Sequence, residues 1–191
     1  MSDPRPAPSP AAAAVRVWDL PVRLLHWGLG IAIVLAWMAG ESSLRLRQWA
    51  GYTALAIVMA RCIRGTVGGG YAPFGQFVRS PSVVWRYALS VVQHRDARHL
   101  GHNPLGGWMV CALLGCTVAV GLTGWLYTLD GFWGMAWLEW LHLALAWTLV
   151  GLIVVHVAGV VFTSWRHREN LGGSMMHGHK ADAINPQESA P

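Results

Sequence analysis

The feature that most constrains this chain is a set of long stretches without formal charge. Trp108 to Leu129 contains no Asp, Glu, Lys or Arg. Trp140 to Trp165 contains none either, and its only ionisable side chains are two histidines. A helix that crosses the hydrocarbon core needs about 20 mostly apolar residues, and both stretches satisfy that. Leu24 to Gly40 is also uncharged, and Pro21 stands just before it, where a helix first turn accepts proline. Charged residues make up 12% of the chain, about half the ~25% usual for soluble domains, so the apolar runs are read as membrane spans rather than buried core helices.

A fourth span is shorter. Trp49 to Ala60 is apolar, and it reaches spanning length only from about Leu44, with Arg47 and Arg61 snorkelling toward the interfaces. The expected spans are 21–40, 44–64, 107–129 and 136–164. Together they predict an all-α integral membrane protein, a four-helix bundle. Residues 1–14, rich in Pro and Ala, read as a disordered lead-in; 15–170 as the membrane domain; 171–191 as a polar tail. A cleaved signal ending at Ala39-Gly40 is the rival reading of the N-terminal region, but the apolar run is longer than a usual signal core. Within the middle segment, 65–106, Ser80-Pro81 marks a helix start, and Val83, Val84, Tyr87, Ala88 and Val91 follow helical spacing, which predicts a short interfacial helix.

Positive charge gives the orientation. Arg5, Arg16, Arg23, Arg61, Arg64, Arg79, Arg86, Arg95, Arg98, Arg166, Arg168 and Lys180 fall on one side of the predicted topology, and Arg45 and Arg47 on the other. That asymmetry puts both termini in the cytoplasm, as in a multi-pass protein of a bacterial inner membrane. It also explains the net charge of +5 without a nucleic-acid partner. Trp108, Trp140 and Trp165 lie at predicted span ends, where interfacial aromatics belong. The three cysteines, Cys62, Cys111 and Cys116, are an odd set in apolar segments, so they are not a disulfide framework, and no Cys-x-x-Cys-His is present to attach haem covalently.

Ionisable side chains inside a membrane are costly and mark function. Three histidines lie within the predicted spans: His26, His142 and His156. A histidine hydrogen-bonded to a neighbouring helix is the bland reading of any one of them. His142 and His156 are fourteen residues apart, close to four helical turns, so they share a face. Their levels differ by ~21 Å at 1.5 Å per residue, so they cannot hold one metal ion together. Haem iron takes axial imidazoles from both faces, and a helix bundle accommodates the large apolar macrocycle. His26, early in the first span, and His156, late in the fourth, lie at the same depth near the cytoplasmic side. His142 lies near the outer side, and no histidine begins the second span to face it.

The chain resembles the bacterial cytochrome b561 family and the b-type cytochrome subunits of nickel-iron hydrogenases. The resemblance rests on Val17-Trp18-Asp19-Leu20-Pro21-Val22-Arg23 leading to His26-Trp27, on Trp49-Ala50-Gly51-Tyr52, Arg79-Ser80-Pro81, Gly101-His102-Asn103-Pro104 and Thr123-Gly124, on His142 with His156, and on His167-Arg168-Glu169-Asn170-Leu171. It implies a four-helix membrane cytochrome with two b haems. His26 and His156 then hold the cytoplasmic-side haem, and His142 matches one ligand of the outer haem. The other outer ligand falls at Arg47, and arginine does not deprotonate in proteins. The outer site is then empty, or holds haem through His142 alone with Arg47 on a propionate, or uses a neighbour such as Gln48. One firmly bound haem b is the expectation. Arg23 and Arg61, at the cytoplasmic ends of their spans, are interfacial anchors or partners of haem propionates.

The resemblance further implies electron exchange with membrane quinone or quinol and with a redox partner, a c-type cytochrome or a dehydrogenase. The chain is then an electron-transfer component of an oxidoreductase system rather than a stand-alone enzyme. A haem-bearing anchor of a hydrogenase-like complex and a non-haem proton-relay transporter are the alternatives, and a second copy of the chain is kept open as a partner. His94, His99 and His102 read as solvated loop residues, and His177 and His179 as an adventitious metal site at most.

Overall fold

The computed structural model of the chain describes residues 14–40, 42–67, 79–93, 95 and 103–181. Its elements in order are strand β1 (Ala14–Arg16) and helices α1 (Leu20–Ala39), α2 (Leu44–Val67), α3 (Pro81–Val92), α4 (Pro104–Leu126), α5 (Ala136–His167) and α6 (Leu171–His177), followed by strand β2 (His179–Ala181). The fold is helical apart from one three-residue ribbon, in which β1 and β2 pair antiparallel with Val15 opposite Lys180. Of the lead-in 1–14, only Ala14 is among the described residues.

Local sequence sets the helix ends. The Asp19 carboxylate accepts a hydrogen bond from Val22 N at 3.0 Å and starts α1, with Pro21 in its first turn. Asn103 does the same for α4 through Gly106 N at 2.6 Å, and Pro104 follows. This places the start of α4 three residues before the expected span. Helix α1 stops at Gly40, whose φ of 47° lies in the left-handed region. Helix α3 begins at Ser80-Pro81 as the sequence predicts.

Among the described residues three helices, α1, α4 and α5, are long and apolar enough to cross a membrane. At 32 residues, α5 is ~48 Å long, well beyond the ~30 Å hydrocarbon core. Helix α2 runs over the expected range, but Arg45, Arg47, Arg61 and Arg64 keep it outside that apolar class. Leu24, Ile31, Val34, Met38, Val154, Val155, Val161 and Phe162 are all exposed on α1 and α5. So much apolar surface facing outward is a lipid-facing pattern, since soluble monomers rarely expose large contiguous apolar patches.

The long helices pack in chain order, α1 on α2, α2 on α4 and α4 on α5. Val58, Val110 and Leu114 form the core of the α2–α4 seam, with Leu29, Cys62 and Val118 against them. Gly121 lets α4 approach Leu55 so closely that a Cβ there would lie 2.5 Å from Leu55 Cδ2. Aromatic rings bring α1 to α5, with Trp37 edge-on to Trp147 at 5.1 Å between centroids and His26 beside His156. The segment expected as a polar tail contributes α6 and β2, and both dock beside the start of α1.

Candidate functional site

Two histidines from opposite ends of the sequence meet between α1 and α5. The ring centroids of His26 and His156 are 6.3 Å apart, with planes inclined by 56°. A metal ion between two facing imidazoles needs two bonds of ~2.0–2.1 Å. A further ~1.1 Å separates each nitrogen from its ring centre, so the centroids would stand roughly 6.3 Å apart. The centroid separation matches that of two imidazoles sharing one ion. Trp27 packs edge-on against His26 at 5.5 Å and limits how that ring can turn. Both imidazoles are half-buried.

Three arginines surround this end of the molecule. Arg61 of α2 acts electrostatically on both His26 and His156, and its Nη1 is buried without a hydrogen-bond partner. Arg64, one turn further along α2, pairs with Asp19, the residue that caps α1. Arg23 stands one turn before His26, and its Nη2 donates to the carbonyl of Met176 in α6. Of the two arginines expected near this site, Arg61 keeps a buried donor without a partner, and Arg23 has an Nη2 committed to the chain's own tail.

His142 lies elsewhere, at the other end of α5. Its Nδ1 is 2.9 Å from the Thr123 hydroxyl of α4. That hydroxyl also lies 2.9 Å from the Ala119 carbonyl and 3.0 Å from that of Val120, to which it donates. The contact orients the His142 ring, as a hydrogen bond from the second ring nitrogen usually orients a ligating histidine. Gly124 leaves room for the ring, since a Cβ there would be 3.1 Å from His142 Cε1. Arg47 is an electrostatic neighbour of His142 and reaches the Gly40 carbonyl at 3.5 Å. No second imidazole faces His142 among the described residues.

Sequence reasoning found the histidines but not Thr123, Arg64 or Asp19 as parts of these sites. Asp19 entered the sequence reading only as part of the Val17–Arg23 stretch, and its pairing with a residue 45 positions away left no trace there. Among the described residues no group of three or more His, Cys, Asp or Glu converges to hold a bare metal ion. His94, His99 and His102 lie outside the described residues.

The family described as prokaryotic cytochrome b561 matches residues 17–178. No curated protein and no solved structure matches the chain.

Proposed function

The chain belongs to the prokaryotic cytochrome b561 family, and from that premise we propose that it carries electrons in a bacterial inner membrane through one haem b clamped by His26 and His156. Membership makes it a transmembrane b-type cytochrome of electron transfer. The observation that carries the finer reading is the 6.3 Å separation of the two imidazole rings. Haem b, once bound, supplies a one-electron couple between ferrous and ferric iron.

The chain's own residues define what that site does. His26 and His156 would hold the haem iron from two helices and leave no open position for a substrate, so the centre would exchange electrons without binding oxygen or an organic molecule at the metal. Trp27 holds the His26 ring. Arg61 places a positive charge and an unused donor beside the pair, suited to a propionate; Arg23 stands at the same level. The four long helices act as a bundle with both termini cytoplasmic, which puts this site near the cytoplasmic face. The outer end is unequal, because Arg47 stands where a second imidazole is needed. We therefore assign one firmly bound haem per chain. Members of the family exchange electrons with quinones and redox partners, and we propose membrane quinol and a c-type cytochrome or dehydrogenase subunit as the exchange partners here.

The test is a reduced-minus-oxidised spectrum of the purified full chain, with haem counted against protein. We expect one low-spin haem, and its loss in both His26→Ala and His156→Ala. A purified chain without a Soret band would return it to the proton-relay class. Two low-spin haems per chain would refute the single-haem assignment.

A further inference from the structure

We propose that Val17–Trp18 and Ser174–Gly178, near the two ends of the described chain, form a strap closing a three-arginine site that binds the two haem carboxylates. The inference rests on the bis-histidine reading above, since it places the porphyrin edge beside Arg61.

The starting observation is a set of unanswered donors. Arg23 Nε, Arg61 Nη1 and Arg64 Nε are each buried without an acceptor. The three residues lie close in depth. Arg61 and Arg64 are one turn apart on α2, Arg23 is one turn from His26 on α1, and the Asp19–Arg64 ion pair ties the two helix ends together. A buried donor left without an acceptor is costly, and more so when it is charged. The partners that are present do not answer these atoms: Asp19 takes Arg64 Nη2, and the Met176 carbonyl takes Arg23 Nη2. What the cluster lacks is oxygen acceptors with negative charge. A guanidinium fork matches a carboxylate, and haem brings two carboxylates on one edge.

The strap lies against one of these residues, Arg23. The Gly178 carbonyl accepts from Val17 N at 2.9 Å and Trp18 N at 3.1 Å, and Gly178 N donates to Ser174 O at 2.8 Å. Val17, Trp18, Ser174 and Gly178 are all buried. Position 178 accepts only glycine: its φ is 87°, and a Cβ there would lie 2.6 Å from the Trp18 carbonyl oxygen and 3.3 Å from Arg23 Nη1. The strap thus presses on Arg23 itself. Excluding water from guanidinium–carboxylate pairs strengthens them, so the strap would hold the haem by its acidic edge while the histidines hold it by the iron.

The experiment reconstitutes the full-length chain, stripped of haem in detergent, with either haem or its dimethyl ester. Both forms keep the iron and the ring, and only the free acid has the two charges. The ester should bind at least about tenfold more weakly to the unaltered chain, while both give the same low-spin spectrum. Arg64→Gln and Gly178→Val should each shrink that preference to within about threefold, because one removes a donor and the other lifts the strap. Equal binding of acid and ester by the unaltered chain, with low-spin spectra, overturns the carboxylate site and leaves the histidine reading standing. Full discrimination retained by Gly178→Val overturns the strap. Failure of both forms to give a low-spin spectrum removes the histidine reading and this inference with it.

Discussion

Replacing Gly121 with alanine adds one methyl group to the seam between α2 and α4. The new Cβ would stand 2.5 Å from Leu55 Cδ2, 2.6 Å from Cγ and 2.9 Å from Cδ1. All three are side-chain atoms, and clearing Cγ as well as both branch tips requires a change of Leu55 χ1 or a separation of the helices. Overpacking of this kind costs ~1–3 kcal/mol. Alanine also gains up to ~1 kcal/mol over glycine in helix propensity, which confuses a single measurement. Gly115 on the same helix removes the confusion. A Cβ there meets nothing within 4 Å, so Gly115→Ala keeps the propensity gain without the clash. The difference between the two variants isolates the overpacking term. At about 2–4 °C per kcal/mol for a chain of this size, Gly121→Ala should melt ~2–12 °C below Gly115→Ala. The assay is thermal unfolding in detergent followed by tryptophan fluorescence. Because α2 carries Arg61, the same variant should also disturb the haem end. If Gly121→Ala melts at or above Gly115→Ala, the close α2–α4 approach is wrong.

Arg47→His supplies the imidazole missing opposite His142, and haem per chain should rise from one to two; an unchanged ratio would show that something other than the ligand blocks that end. Asp19→Ala removes the α1 cap, worth ~1 kcal/mol, together with its ion pair to Arg64. Both partners of that pair are more than a third exposed, at 35% and 38%, so the pair itself adds only ~0–1 kcal/mol. Asp19→Asn keeps an oxygen for Val22 N and should be the milder of the two in thermal unfolding. Equal loss in both would assign the stability to the charge rather than the cap.

The helices were readable where an uncharged run met a recognisable end. Residues 21–40 and 136–164 were expected, and α1 and α5 cover 20–39 and 136–167. The short helix at Ser80-Pro81 was readable for the same reason. Helix α4 starts earlier than its hydrophobicity suggests because Asn103 supplies a cap, a signal in one side chain rather than in the run. Helix α6 was not readable. Its Leu171-Gly172-Gly173-Ser174 start has poor helix propensity, and besides the local contacts of Asn170 on Gly173 N at 2.7 Å and Ser164 Oγ on Leu171 N at 3.3 Å, the segment is held from far away in sequence by Arg23 on Met176 O. Periodicity carries no trace of such contacts.

The site divides along the same line. His26 and His156 were legible because depth in a membrane follows from position along a helix, and two imidazoles at one depth have few other uses. The groups around them belong to a different class of information. Thr123 belongs to a stretch that carries the family resemblance, but its contact with His142 Nδ1 is visible only in the fold. This sharpens what Arg47 means. Gly124 leaves clearance for the His142 ring and Thr123 orients it, and the expected opposing ligand position on α2 is held by Arg47. A guanidinium there does not merely omit a bond to iron. It sets a permanent positive charge beside His142, which would disfavour a further cation and favour an electron-rich or anionic partner. Each end of α5 thus carries a histidine with an arginine of α2 as its electrostatic neighbour, Arg61 at His156 and Arg47 at His142, and among the described residues only His156 has a second imidazole beside it.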